Sequence, residues 1–529
     1  MIDTRFITLA TLGVLASVAA AQDFGSQRVI SDTLGAPVPK YYGNEVHAAD
    51  LDGDGDADVI STRIVDSTIV WQENLGAGQF GPLQLITAAV LSPTSLFTAD
   101  LDADGDLDLL STSWWDDKVA WYENLGGGTF GAQQVISERA NAAACVHAAD
   151  LDGDGDPDVL SASAFDGKIA WHENFGGGQF GPQRVLESSS VGGRSVFADD
   201  LDGDGDNDVV YAISNSHTVA WRENLGGGAF SAENLITHDV IYPNTVAGAD
   251  FDGDGDLDVF SFSNGDEKFA WYENLGGGVF GPQRVISTSA LDPWGSFIAD
   301  LDGDGDPDVL SASRDDDKIA WYENLGAGQF GPQRIISTEA RVAYDVVAVD
   351  LDGDGDLDVL SASAEDEKIA WYENVPPIGT PYCFGDGTDG TDCPCGNNSR
   401  VGLGEGCRNS EGYGALLGVT GSASIAADDL VIRVMQARPG QPSILVQGAA
   451  LNSSPFRDGK LCVSTPTERL EVILLNTHGA GSSAGSIATE GSVPGPGATR
   501  HYQLWYRDPI VSVCGSGSNL TSGLTIDWI

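Results

Sequence analysis

The segment Asp50-Leu-Asp-Gly-Asp-Gly-Asp-Ala-Asp58 constrains the fold more than any other stretch, because it returns every 50 residues. Further copies begin at Asp100, Asp150, Asp200, Asp250, Asp300 and Asp350, making seven in fixed register. Each copy alternates five aspartates with other residues, and nothing basic lies among them. Two like charges at ~4 Å repel by about 4 kcal/mol at an effective dielectric near ~20, so such a loop needs a counter-charge. A hard divalent cation supplies one, and calcium accepts about six to eight oxygen ligands in a flexible shell.

The candidate metal ligands follow copy by copy. They are Asp50, Asp52, Asp54, Asp56 and Asp58 in the first loop and Asp100, Asp102, Asp104, Asp106 and Asp108 in the second. The third and fourth offer Asp150, Asp152, Asp154, Asp156 and Asp158, then Asp200, Asp202, Asp204, Asp206 and Asp208. The fifth and sixth offer Asp250, Asp252, Asp254, Asp256 and Asp258, then Asp300, Asp302, Asp304, Asp306 and Asp308. The last offers Asp350, Asp352, Asp354, Asp356 and Asp358. In each, the side chains at the first, third, fifth and ninth positions and the backbone carbonyl of the seventh would complete the shell. A sixth-position glycine (Gly55 in the first copy) makes the tight turn. About seven calcium ions are expected. The loop is not an EF-hand, because its twelfth position is serine (Ser61, Ser111, Ser161) and the next stretch, Asp158-Val-Leu-Ser-Ala-Ser163, alternates like a strand. Nor is it the Gly-Gly-x-Gly-x-Asp nonapeptide of calcium β-helices. A merely solvated acidic loop would account for one copy, not for seven that keep every aspartate.

Around each loop the unit reads as four short strands with Gly or Asp turns: one before the aspartates, one after, one holding a tryptophan such as Trp321, and one from Phe330 to Ser337. Four strands in about 50 residues is the length of a propeller blade. The last unit stops after Trp371-Tyr-Glu-Asn374 without its fourth strand. Phe24-Gly-Ser-Gln-Arg-Val-Ile-Ser31, near the N-terminus, matches Phe280-Gly-Pro-Gln-Arg-Val-Ile-Ser287. The predicted fold over residues 22–375 is therefore an all-β, seven-bladed β-propeller whose N-terminal strand closes the last blade and removes its open edge.

With Asp-x-Asp-x-Asp-Gly-x-x-Asp in every unit and Phe-Gly at 80–81, 130–131, 180–181, 280–281 and 330–331, the chain resembles the FG-GAP/VCBS repeat family, known from the integrin α propeller. Phe230-Ser231 departs from the pattern, and Trp-x-Glu-Asn stands where the family name has Gly-Ala-Pro. The resemblance, to the secreted bacterial branch, implies calcium in the loops between first and second strands. It does not carry integrin ligand recognition with it.

Trp71, Trp121, Trp171, Trp221, Trp271, Trp321 and Trp371 share one phase of the repeat. Their uniformity predicts blade-to-blade packing rather than a row of sugar-stacking platforms. Variation falls instead on loops of the end opposite the aspartates: Lys40-Tyr-Tyr42, Trp114-Trp115, Phe165, Arg194, His217, Tyr242, Trp294, Arg314 and Tyr344. Loops at one end of a rigid scaffold collect binding residues.

Met1–Ala21 reads as a secretory signal, with Arg5, the apolar run Phe6–Val18 and the small residues Ala19–Ala21. No other apolar run reaches the length of a membrane span. The formal charge is −53; residues 376–529 hold 13 acids and 9 bases and residues 1–21 balance, so the repeat region carries −49. Seven calcium ions would leave about −35, which repels nucleic acid and anionic lipid. Cys145 stands alone in the repeats, where a buried inert thiol is expected. Cys383, Cys393, Cys395, Cys407, Cys462 and Cys514 follow them. In an exported chain these six predict three disulfides, with fifteen pairings open. Residues 376–412 read as a linker and Cys-rich segment. Residues 413–529, with alternating runs at Asp429–Gln436, Ser443–Gln447, Arg469–Asn476, His501–Arg507 and Leu524–Ile529, read as an antiparallel β-sandwich.

The units are too alike to single out an acid, base or nucleophile, and no His-Glu-x-x-His, Gly-x-Ser-x-Gly or P-loop occurs. The first functional reading is a secreted or surface-bound, monomeric, non-catalytic ring that binds a glycan or an extracellular protein. The alternatives are a polysaccharide lyase or hydrolase on the same scaffold, and a purely structural envelope protein.

Overall fold

The structure, a computed structural model, describes residues 23–31, 45–188, 191–375, 379–387, 391–400, 405–420, 422–509 and 514–528. The expected signal segment and Lys40–Tyr42 lie outside these residues. The described chain divides into two compact units, Asp23–Asn374 and a second beginning at Val375.

The first unit is a ring of seven antiparallel four-stranded sheets. In the second blade the strands are Pro93–Ala99, Asp108–Ser113, Lys118–Tyr122 and Gln134–Ser137, hydrogen-bonded in chain order. Burial follows from each strand's place. The second strand, such as Asp158–Ser163, is buried at every position because neighbouring blades cover both its faces, which explains its run of small and apolar residues. The fourth, such as Arg284–Ser287, is the exposed outer edge. First strands of successive blades contact one another, and the contact between Ala343–Val349 and Val46–Ala49 closes the circle.

Closure of the last blade is as the sequence predicts. Arg28–Ser31 pairs with Ile369–Tyr372 in the register Arg28 to Trp371 and Val29 to Ala370, which repeats Arg284 to Trp271 and Val285 to Ala270 in the fifth blade. The ring has no single core. Among the described residues its buried apolar side chains form seven clusters, one at each blade–blade junction. Each conserved-phase tryptophan is at most 5% exposed. It slides beneath the glycine turn of the next blade: a Cβ on Gly128, whose φ is +66°, would lie 2.4 Å from the Trp71 ring. It also meets the next blade's Phe-Gly phenylalanine edge-on, as Trp121 meets Phe180 with centroids 6.2 Å apart.

The second unit has a six-stranded and a three-stranded antiparallel sheet. The larger runs in the order Thr380–Tyr382, Gly523–Trp528, Ala498–Arg507, Pro442–Phe456, Gly459–Leu474, with Ser518–Leu520 also beside Ala498–Arg507. The smaller holds Leu416–Thr420, Val431–Met435 and Gly481–Ser482. Ile432 and Val434 from one sheet and Leu445, Tyr502, Leu504 and Ile526 from the other share one core, a sandwich as predicted. The runs expected at Ser443–Gln447 and Arg469–Asn476 fall largely in a longer hairpin, Pro442–Phe456 with Gly459–Leu474. Residues 449–456 and 465–469 are largely exposed and so lack the one-sided alternation that marks a strand in sequence, whereas residues 459–463 are mostly buried. Disulfides join Cys383 to Cys462, Cys393 to Cys407 and Cys395 to Cys514.

Candidate functional site

The acidic loops share one hydrogen-bond plan. Asp50 accepts the Gly53 N–H on Oδ1 (2.8 Å) and the Gly55 N–H on Oδ2 (3.0 Å), which curls the chain around the first carboxylate. Gly55, with φ +99°, takes a turn that other residues enter only with strain. Asp54 accepts the Asp56 N–H at 3.0 Å and stands exposed. Carboxylate oxygens of Asp50, Asp52 and Asp58 come within 4.8 Å of one another, as do those of the matching trios in the second, third and fourth loops. In the fifth, the converging trio is Asp250, Asp252 and Asp254.

The ninth-position aspartate has a second role. Asp58 is fully buried and accepts the Leu51 N–H (3.0 Å) on Oδ2 and the Asn74 N–H (2.8 Å) on Oδ1. Burial pushes its carboxyl up to about 6 despite these donors, and the nearby Asp52 and Asp54 charges add to the rise. The same causes hold Asp158 near about 7 and Asp308 near about 8. The third-position Oδ1 atoms of Asp252, Asp302 and Asp352 are buried without any hydrogen-bond partner. Oxygen-only donors, converging carboxylates and orphaned oxygens fit a hard divalent cation, so the loops could hold metal ions.

Trp-x-Glu-Asn proves to be the joinery between these loops. The Asn124 side chain donates to Leu107 O in its own blade (3.1 Å) and to Leu51 O in the preceding blade's loop (2.8 Å). Equivalent bonds to the preceding loop recur at Asn74, Asn174, Asn224, Asn274, Asn324 and Asn374. The glutamate holds the outer strand: Glu273 pairs with Arg284, whose guanidinium lies over Trp271 at 4.7 Å.

At the opposite end of the ring a cavity of about 440 Å³ opens on the axis. Of the varied loop residues, Trp114, Arg194, Trp294 and Tyr344 line it. Trp115, Phe165 and Tyr242 stand at least half exposed outside it. His217 packs on Tyr242 at 4.9 Å. Arg314 is spent on structure, paired with Asp292 at 2.8 Å and stacked on Trp294 at 3.9 Å.

The sequence reading overlooked the phase at the start of the first strand, where Glu45, Ser95, Cys145, Ser195, Thr245, Gly295 and Asp345 succeed one another. These seven residues also line the cavity, and several bolt blades together. Glu45 accepts the Leu96 N–H (3.2 Å), Ser95 that of Val146 (3.3 Å), Ser195 that of Val246 (3.2 Å) and Asp345 that of Val46 (3.0 Å). The signal was available: this is a position at which otherwise similar units differ in charge and size. Cys145 is unpaired, and burial raises its thiol to about 11, so it is a protonated wall residue.

No curated protein matches the chain in sequence. Among solved structures it is similar to an Agrocybe aegerita lectin that recognises non-reducing terminal N-acetylglucosamine (20% identity, TM-score 0.46, covering 63% of this chain and 86% of the lectin). It is also similar to BBS1N in complex with ARL6DN (10%, TM-score 0.47, covering 67% and 98%). A third is virginiamycin B lyase of Staphylococcus aureus (11%, TM-score 0.43, covering 63% and 100%). The model of the FG-GAP-like repeat matches six times, at residues 50–111, 100–161, 150–211, 200–261, 250–311 and 300–361. Each match runs from one acidic loop into the second strand of the next blade. Together they span more than half of the chain, which therefore belongs to the FG-GAP-like repeat family.

Proposed function

We propose that this protein is an exported, calcium-loaded propeller that serves as a non-catalytic binding module, taking a glycan or an extracellular protein on the face opposite its acidic loops. One contrast carries the reading. The loop face repeats the same carboxylate arrangement blade after blade, whereas the other face has an aromatic-lined cavity in which no two blades contribute the same set of side chains. Repetition suits a scaffold, and singularity suits recognition. All five aspartates of each loop remain candidate ligands, and a bound cation supplies the positive charge that their crowding requires. Three disulfides in the second unit support an oxidising compartment, and no helix among the described residues is long and apolar enough to cross a membrane. The Glu45 and Asp345 carboxylates are engaged by backbone N–H groups between blades, which favours binding over a hydrolytic pair.

The test passes the purified full chain over immobilised polysaccharides and matrix proteins, with calcium and with chelator, scoring retention and product release. Calcium-dependent retention without products is expected, lost in Trp115→Ala or Trp294→Ala while about seven bound ions remain. Product release would make it an enzyme, and retention of nothing would make it structural.

A further inference from the structure

The axial cavity has two poles. Glu45 and Asp345 come from the first and seventh blades, which are neighbours at the ring closure. Arg194 comes from the fourth blade, and in a sevenfold ring that blade lies across the axis from the junction of the seventh and first. Between them, on the sixth and seventh blades, Trp294 and Tyr344 pack at 5.4 Å and present an aromatic wall.

Arg194 is the telling member. Its guanidinium sits 5.4 Å from the Trp114 ring, and among the described residues it has no carboxylate partner. Burial lowers its pKa, and the nearby Tyr344 opposes the fall. Elsewhere in this ring a partly buried arginine is paired, as Arg222 is with Glu187 and Arg314 with Asp292. An unpaired, desolvated cation costs stability, and its planar fork suits a carboxylate. Across the cavity the opposite imbalance holds. Burial raises the Glu45 carboxyl well above its ordinary range and the charge of Asp345 raises it further, while burial also raises Asp345. Two neighbouring carboxyls whose charged forms burial disfavours are suited to an ammonium group.

A wholly anionic ligand would meet the negative charge of the ring, and a wholly cationic one would leave Arg194 without a partner. We propose that the axial cavity binds a small zwitterion, its carboxylate on Arg194, its ammonium on the Glu45 and Asp345 pair, and its apolar body against Trp294 and Tyr344. The cavity volume of about 440 Å³ lies in the range of small-molecule sites. This deepens the reading of that face as the ligand face and rests on it.

Calorimetric titration of the calcium-supplemented full chain with aminohexanoate, hexanoate and hexylamine tests the assignment, with glycine and aminobutyrate as shorter zwitterions. At least one zwitterion is expected to bind about ten-fold or more tighter than both single-charge analogues, the order expected for losing one charged hydrogen bond. That comparison uses the wild-type chain alone. Arg194→Met should erase the advantage over the amine, and Glu45→Gln the advantage over the carboxylate, with calcium stoichiometry unchanged. Equal weak binding of all five probes, or a zwitterion preference that survives both variants, would overturn the proposal. Retention of a glycan or protein by a chain that ignores every zwitterion would sink this inference alone, whereas loss of both would sink the wider reading too.

Discussion

A single amide, that of Asn124, joins the backbone of two neighbouring blades at residues 73 positions apart. It is fully buried and donates to Leu51 O and Leu107 O while accepting from Gly126 N–H at 3.2 Å. Asn124→Ala would remove both donations; Leu51 O keeps the Gly128 N–H at 3.1 Å, so the loss falls on Leu107 O and on the Gly126 N–H, at about 1–3 kcal/mol for each group left unsatisfied. We expect a loss of about 3 kcal/mol, read as a lower midpoint in denaturant unfolding at saturating calcium. Asn124→Asp should not rescue it, because a carboxylate cannot donate to either carbonyl. A change under about 0.5 kcal/mol, the size of an ordinary surface substitution, would contradict the role of this amide as a tie between blades.

One strand decides whether the ring is closed. Arg28–Ser31 supplies the outer edge of the seventh blade, Ile30 packs into the junction with the first blade, and Phe24 stands edge-on to Trp321 at 6.5 Å. Deleting residues 22–31 should leave Ile369–Tyr372 as an unpaired edge and uncover Trp371, over which Arg28 lies at 4.6 Å. Exposed edges of this kind pair with other chains. Light scattering should therefore show aggregation of the truncated chain, and a monomer with unchanged melting would contradict the strand's structural role. The alternating Arg-Val-Ile-Ser pattern was legible because its six counterparts elsewhere in the chain show what the missing strand looks like.

Charge acts on the whole ring. Without metal, burial raises the ninth-position carboxyls from Asp58, at about 6, to Asp308, at about 8. A carboxyl with a raised folded pKa binds more protons folded than unfolded, so its contribution is complete below about 4 and is lost as pH rises through the folded value. His47 and His147, depressed by burial to about 4, and His172, lowered by burial as well, act the other way, losing stability as pH falls from about 6.5. They are three against seven carboxyls. The chelated chain should therefore melt higher at pH 5 than at pH 8. Calcium reverses the order, because protons compete for its ligands. Melting scans with calcium and with chelator at both pH values check this, and a calcium-induced shift as large at pH 5 as at pH 8 would refute the assignment of these carboxylates as ligands.

The sequence by itself determined what repetition and local chemistry can carry. A fixed 50-residue register specified the number of blades, the acidic loops and the offset closure, since identical units leave few ways to bury their apolar faces. It also placed Trp71 and its counterparts in packing, for uniform residues meet uniform surroundings. Only the tertiary structure decided what meets across the axis. Glu45 and Asp345 lie 300 positions apart at one phase of the repeat, and Arg194 stands one position earlier in its own unit; the period puts all three at one end of the ring but does not say which of them face each other. Their convergence comes from ring closure, which brings the last blade against the first and sets the fourth opposite that seam. The partners of Asn124 were hidden for the same reason, because a hydrogen bond spanning 73 residues leaves no mark on the chain until the blades are stacked.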